Sequence, residues 1–124
     1  VCSFHVLIPH FLWVLLAFTR FGIQTLLICK GTVPCAYLKI NGLESGDETG
    51  CISMLAVAPS FQRKGAGNYA VRYAEEFLRN AGKSCVRIHT TQDNLPAGNL
   101  YEKCGYSLED IRTDNDTLTY SKYF

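Results

Sequence analysis

Long apolar runs broken by short polar stretches set the first reading of this chain, and the spacing within the runs changes along it. Residues 4–18 are apolar except for His5, Pro9 and His10, and their uninterrupted part runs only from Phe11 to Phe18. A bilayer span needs about 20 apolar residues, so this segment reads as a buried helix or strand. Thr25 to Cys29 and Val33 to Ile40 are two runs rich in β-branched, aliphatic and aromatic residues, parted by Lys30-Gly31-Thr32. That pattern predicts a β-hairpin. Asn41 to Gly50 is polar and glycine-rich, a loop into the next strand. Cys51 to Val57 is apolar at nearly every position, which predicts a central strand covered on both faces.

Beyond it the period lengthens. Ala66, Ala70, Ala74, Phe77 and Ala81 fall on one stripe at three- and four-residue steps, while Arg72, Glu75, Glu76 and Arg79 lie elsewhere on the wheel. The stripe predicts an amphipathic helix stopped by Gly82. Cys85 to Thr90 reads as a strand. Asp93 or Asn94 can cap a short second helix with Pro96 in its first turn and Gly105 at its end. Tyr106 to Ile111 and Leu118 to Phe124 read as two last strands around the turn at Asp114 to Asp116. The order ββ, β, α, β, α, β, β predicts an α/β or α+β chain with a mixed sheet.

Composition narrows the class. A chain of 124 residues with 48% hydrophobic and 19% charged residues is expected to form one globular domain spanning 1–124. Its 12 basic and 11 acidic residues give a formal charge of +1, so no nucleic-acid partner is expected. The six cysteines form no Cys-x-x-Cys pair and no zinc spacing with histidine, so no metal site is expected and a reduced, cytoplasmic setting is favoured. No basic stretch precedes the apolar start, which argues against a secretory signal, and no membrane association is expected.

The candidate chemistry gathers around Leu55 to Asn68. An apolar run ends at Pro59, a turn follows, and Gln62-Arg63-Lys64-Gly65-Ala66-Gly67-Asn68 opens into the helix. The first N–H groups of a helix lack intrahelical partners and its dipole favours an anion there. Gly65 and Gly67 remove Cβ atoms where a ligand's oxygens would approach, and Arg63 and Lys64 add positive charge. An ordinary turn into a helix has the same residues, so a second signal decides.

That signal is Asn94-x-x-Ala97-x-x-Leu100-Tyr101-x-x-x-Gly105-Tyr106, which follows the next strand. Together with Gln62-x-x-Gly65-x-Gly67, and in this order, it resembles the GNAT superfamily of acyl-CoA-dependent N-acetyltransferases over roughly Thr25 to Phe124. The resemblance implies a mixed, mostly antiparallel sheet flanked by helices, whose central strands splay to receive the pantetheine arm of acetyl-CoA. It implies cofactor contacts from Leu55, Ala56 and Val57 on the strand and from Gln62, Arg63, Lys64, Gly65, Ala66, Gly67 and Asn68 in the loop. Asn94 matches a position that contacts the cofactor arm, and as a helix cap it serves both roles. Tyr101 matches the position of a general acid that protonates the departing thiolate; packed by its ring, it is one tyrosine among seven.

No carboxylate lies on Cys51 to Val57. Glu44, Asp47 and Glu48 precede that strand and can act as base through water, with Glu48 the one assigned; Ser53 and His89 are further candidates. Residues 1–23 match the family's usual opening of a strand and one or two helices least, so the acceptor amine stays unassigned. The expected activity is direct acetyl transfer to a primary amine of a small molecule or peptide, with a homodimer possible by analogy. A non-catalytic acyl-CoA-binding or interaction module is the rival reading, and docking of Phe11 to Phe18 on a partner or membrane is a third.

Overall fold

The computed structural model describes residues 2–8, 13–20, 22–43, 46–112 and 114–124. Eight strands form one sheet in the order β1-β2-β3-β4-β5-β6-β8-β7. They are β1 (Cys2–Ile8), β2 (Trp13–Arg20), β3 (Ile23–Lys30), β4 (Val33–Asn41), β5 (Thr49–Val57), β6 (Cys85–Thr91), β7 (Ser107–Arg112) and β8 (Thr117–Tyr123). Two helices, α1 (Ala66–Asn80) and α2 (Leu95–Lys103), flank β6 in the chain, and a short 3-10 turn at Pro59–Phe61 follows β5. Every neighbouring pair is antiparallel except β5 with β6.

The hairpin forms as its sequence predicts. Gly31 takes φ +63° in the two-residue turn between β3 and β4, a conformation that costs glycine little. The opening segment is strand on both sides of residues 9–12, which lie outside the described residues, as do Glu44 and Ser45. The family's expected helices before the hairpin are therefore replaced, among the described residues, by two further antiparallel strands. Strand periodicity in β2 is hidden in the sequence because apolar residues fill both alternating sets from Trp13 to Phe18.

One face of the sheet meets the helices. Leu26, Ile28, Leu38, Ile40, Ile52, Val86 and Ile88 pack with Ala66, Ala70, Val71, Ala74 and Leu78 of α1 and with Tyr101 of α2 in one core. The helical stripe is shifted from its predicted place. Val71, Glu75 and Leu78 are buried, whereas Ala81 is exposed past the helix end. The side chains of Arg87, His89, Ser53, Met54 and Ala56 lie on or beside the opposite face and are exposed. The expectation that β5 is covered on both faces therefore fails over its second half.

A bulge explains where the change occurs. In the pairing of β4 with β5, Lys39 opposes Met54 while Ile40 opposes Ile52, leaving Ser53 as the extra residue. Its hydroxyl donates to the Lys39 carbonyl at 3.3 Å. A bulge bends its strand and raises the local twist. On its other edge β5 pairs with β6 only from Thr49↔Cys85 to Ile52↔Ile88. The two strands part at the bulge, and the parallel ladder ends there.

Candidate active site

The fork between β5 and β6 is lined by backbone. Ala58 N–H donates to the Cys35 carbonyl of β4 at 2.8 Å. Successive residues of a strand turn their N–H and C=O groups to opposite sides, so Ala56 also faces β4 while Leu55 and Val57 face the gap. The Val57 carbonyl accepts a hydrogen bond from Gln62 Nε2 at 3.3 Å, which ties the turn to the strand end. Gln62 thus holds the rim of the fork.

Next to that rim stands the N-terminus of α1. Gly65 occupies the cap position at φ +93°, with no side-chain cap bond and no acidic residue in the first turn. Arg63 also takes a left-handed φ of +61°. Both Arg63 and Lys64 are exposed, and Lys64 Nζ lies 5.8 Å from the Phe61 ring centroid. Uncapped N–H groups beside two cations, with no acidic residue in the first turn, could hold an anion.

The two glycines of the loop differ. A Cβ on Gly65 would meet nothing within 4 Å. A Cβ on Gly67 would stand 2.9 Å from Leu100 Cδ2 and 3.5 Å from Val57 Cγ2. Gly67 therefore also lets α1 pack closely on α2 and β5. Asn68 is also engaged: its Oδ1 accepts from Arg72 Nε at 3.2 Å and from Cys104 Sγ at 3.5 Å. Its side chain links the first turn of α1 to the end of α2, which leaves its backbone N–H for a ligand.

Asn94 caps α2, its Oδ1 accepting from Ala97 N–H at 3.3 Å. Two helical turns on, Tyr101 is 3% exposed and packs edge-on against Tyr120, ring centroids 5.6 Å apart, and tilted against Tyr106 at 6.3 Å. Burial first, then the neighbouring Cys104 and Tyr120, push the Tyr101 phenol up to about 12. The ring is held inside the core instead of at an open mouth, and the phenol keeps its proton at neutral pH.

Glu48 is elsewhere. Its carboxylate accepts from Ser84 Oγ at 3.2 Å, and its carbonyl accepts from the N–H groups of Ser84 and Cys85 at 2.9 and 3.2 Å. That is the closed end of the β5–β6 pair. Five residues separate Glu48 from the bulge, roughly 17 Å of strand at about 3.3 Å per residue. The structure does not bring Glu48 together with Tyr101 or the fork.

A buried polar cluster escaped the sequence reading. Glu75 is 9% exposed; it accepts from Lys122 Nζ at 3.0 Å and from Tyr106 Oη at 3.2 Å, and Lys122 also donates to the Cys104 carbonyl at 2.9 Å. Burial, then the Glu75 charge, raise Tyr106 strongly. The signal was present, since Glu75 stands four residues after Val71 and three before Leu78, on the buried stripe. The cluster pins α1, β8 and the turn after α2 behind Tyr101. Among the described residues no three metal-ligating side chains converge and no helix is long and apolar enough to cross a membrane; Cys29, Cys35, Cys51, Cys85 and Cys104 are free thiols.

Against known proteins, the model of the Acetyltransferase (GNAT) family matches residues 5–106. The streptothricin acetyltransferase of Escherichia coli is 28% identical over 82 residues, which are 66% of this chain and 45% of that protein. The chain spans less than half the length of the curated relatives it matches. Among solved structures, a GNAT family acetyltransferase of Elizabethkingia anophelis with acetyl-CoA bound superposes with a TM-score of 0.74 at 20% identity, covering 83% of this chain and 77% of that one. An IAA acetyltransferase from Bacillus cereus gives 0.74 at 21% identity, covering 83% and 79%. At such identities the likeness is one of fold.

Proposed function

The chain belongs to the GNAT acetyltransferase family, and from that premise we propose that it moves the acetyl group of acetyl-CoA to a primary amine of a small molecule or peptide. The observation that carries this reading is the parting of β5 from β6 after Ile52↔Ile88, beside the uncapped start of α1. Acetyl-CoA supplies an acetyl thioester that a neutral amine can attack.

The chain's part is to bind, orient and exchange protons. Leu55 and Val57 present backbone groups to the gap, where the amides of an extended arm add as a further strand would. The N–H groups of Gly65 to Asn68, with Arg63 and Lys64, take the pyrophosphate. Asn94 and Ala56 sit at either side of the fork as lesser contacts. Tyr101 holds a proton at its phenol oxygen for the departing thiolate, and its raised pKa keeps that proton in place until the thiolate forms. Glu48 has no part in this proposal because it stands at the closed end.

That displacement favours a second reading, a module that binds acyl-CoA without transfer. Titration calorimetry separates these. Gly65→Asp introduces a negative charge at a position open to solvent; acetyl-CoA binding by the native chain that weakens at least tenfold in this variant, with circular dichroism unchanged, is the expected result. No binding by the native chain defeats both readings. Binding without amine-dependent thiol release leaves the module. Tyr101→Phe is expected to keep binding and lose thiol release.

A further inference from the structure

The two faces of the fork carry different chemistry. The anion site at the start of α1 belongs to the helix-covered face, and on the opposite face the first β6 residue beyond the last rung of the ladder is His89. Ile88 is buried in the core, so the alternation of the strand turns His89 away from the helices, and its side chain is exposed. Its Nδ1 lies 3.0 Å from Thr119 Oγ1, its direct cross-strand partner on β8. Thr119 is in turn opposite Asp110 on β7. Across the gap on the same face stands Met54, 50% exposed. An acyl arm anchored at α1 and threaded between the strands delivers its acyl end toward this side.

We infer that His89 is the proton acceptor for the attacking amine and that Thr119 positions it. The inference rests on the acetyl-transfer reading above. With Nδ1–H donating to Thr119 Oγ1, Nε2 keeps its lone pair at the fork. A substrate ammonium gives one proton to Nε2; the freed amine forms the C–N bond to the acetyl carbon. The C–S bond breaks with its electron pair going to sulfur. The sulfur takes the Tyr101 proton, and the second proton leaving nitrogen returns to Tyr101 through water while His89 passes its own to solvent. Two protons leave nitrogen, one ends on sulfur and one in solvent.

Other ionisable groups share this face. Arg87 lies on β6 itself, Cys51 opposite it on β5, Lys39 on β4, and Glu109, Asp110 and Arg112 on β7. Glu109 is paired with Arg87 at 4.0 Å and with the Tyr123 hydroxyl at 2.6 Å, and Asp110 with Arg112 at 3.7 Å. Thr119 is the partner that the structure gives the His89 ring.

The ring tautomer tests this without turnover. Long-range nitrogen-15 correlation spectra of the neutral imidazole are expected to show His89 protonated at Nδ1, shifting toward Nε2–H in Thr119→Val and returning in Thr119→Ser. Thiol release from acetyl-CoA with benzylamine, spermidine or glycylglycine is expected to fall about 100-fold or more in His89→Gln, with the acid limb of its kcat/KM profile lost. His89→Ala is expected to regain activity with added imidazole, and calorimetric acetyl-CoA binding is expected to persist in each variant. A native Nε2–H tautomer, unchanged turnover in His89→Gln, or no thiol release with any of the three amines overturns the assignment. If the native chain binds acetyl-CoA and releases thiol with one of the amines, only the role of His89 falls; binding without thiol release, or no binding, takes the acetyl-transfer reading with it.

Discussion

The two halves of β5 show how one apolar run can serve opposite ends. From Thr49 to Ile52 the strand pairs with β6, at Cys51 and Ile52 it pairs with β4 as well, and the core side chain of Ile52 is 1% exposed. A Cβ on Gly50 would collide with the fully buried Leu78, so α1 lies directly on the strand. From Ser53 to Val57 the same strand keeps β4 but loses β6, and from Met54 on its side chains alternate between water and the edge of the core. The first half buys stability with buried area; the second leaves polar backbone unpaired, a cost that a ligand adding as a strand would offset.

Substitutions in the two halves should therefore separate folding from binding. The largest effect is expected from Ile52→Ala, a loss of about 2–5 kcal/mol from transfer and cavity terms, measured by denaturant midpoint. Met54→Ala, two residues further along the same strand, should stay within about 0.5 kcal/mol while weakening amine-dependent turnover. Equal destabilisation by both would erase the distinction.

Lys122→Met comes next. It leaves the Glu75 carboxylate buried without its cation; removing one partner of a buried pair costs about 3–5 kcal/mol, and the partial exposure of Lys122 reduces that to roughly 2 kcal/mol. Thermal unfolding with and without Glu75→Gln checks whether the loss belongs to the pair.

A smaller effect appears at high pH. Tyr101 is raised from 10 to about 12 in the folded chain, so the folded state binds more protons between those values. Stability from this group is full below about pH 10 and is lost as pH rises through about 12. Tyr101→Phe should flatten that alkaline decline in urea midpoints measured from pH 9 to 12. The smallest change is Arg63→Gly, which relieves a left-handed φ of +61° and should alter stability by no more than about 1 kcal/mol. It should still weaken acetyl-CoA binding severalfold at low salt and less at high salt.

Much of this architecture was legible in the sequence, for reasons that differ by element. The hairpin of β3 and β4, both helices, the Asn94 cap and the last two strands follow from local turn, cap and period rules. The bulge at Ser53 does not, because a bulge depends on the partner strand's register, which hydrophobicity alone does not encode. An apolar residue looks the same whether protein or a ligand covers it, and so Met54 was read as core. Glu75 was assigned to solvent by its charge although its spacing put it on the buried stripe. The close approach of Gly67 to Leu100 is tertiary, so the sequence does not show it. The glycine-spaced loop and Tyr101 stand out in the sequence only through their motif, and the burial of Tyr101 requires the fold.

Hydrogen exchange at single amides of β5 tests the central claim most directly. In the free chain Leu55 and Val57 are expected to exchange fast while Gly50 and Ile52 are protected, and saturating acetyl-CoA is expected to slow Leu55 and Val57 selectively. Saturated binding that leaves those two amides unchanged would contradict it.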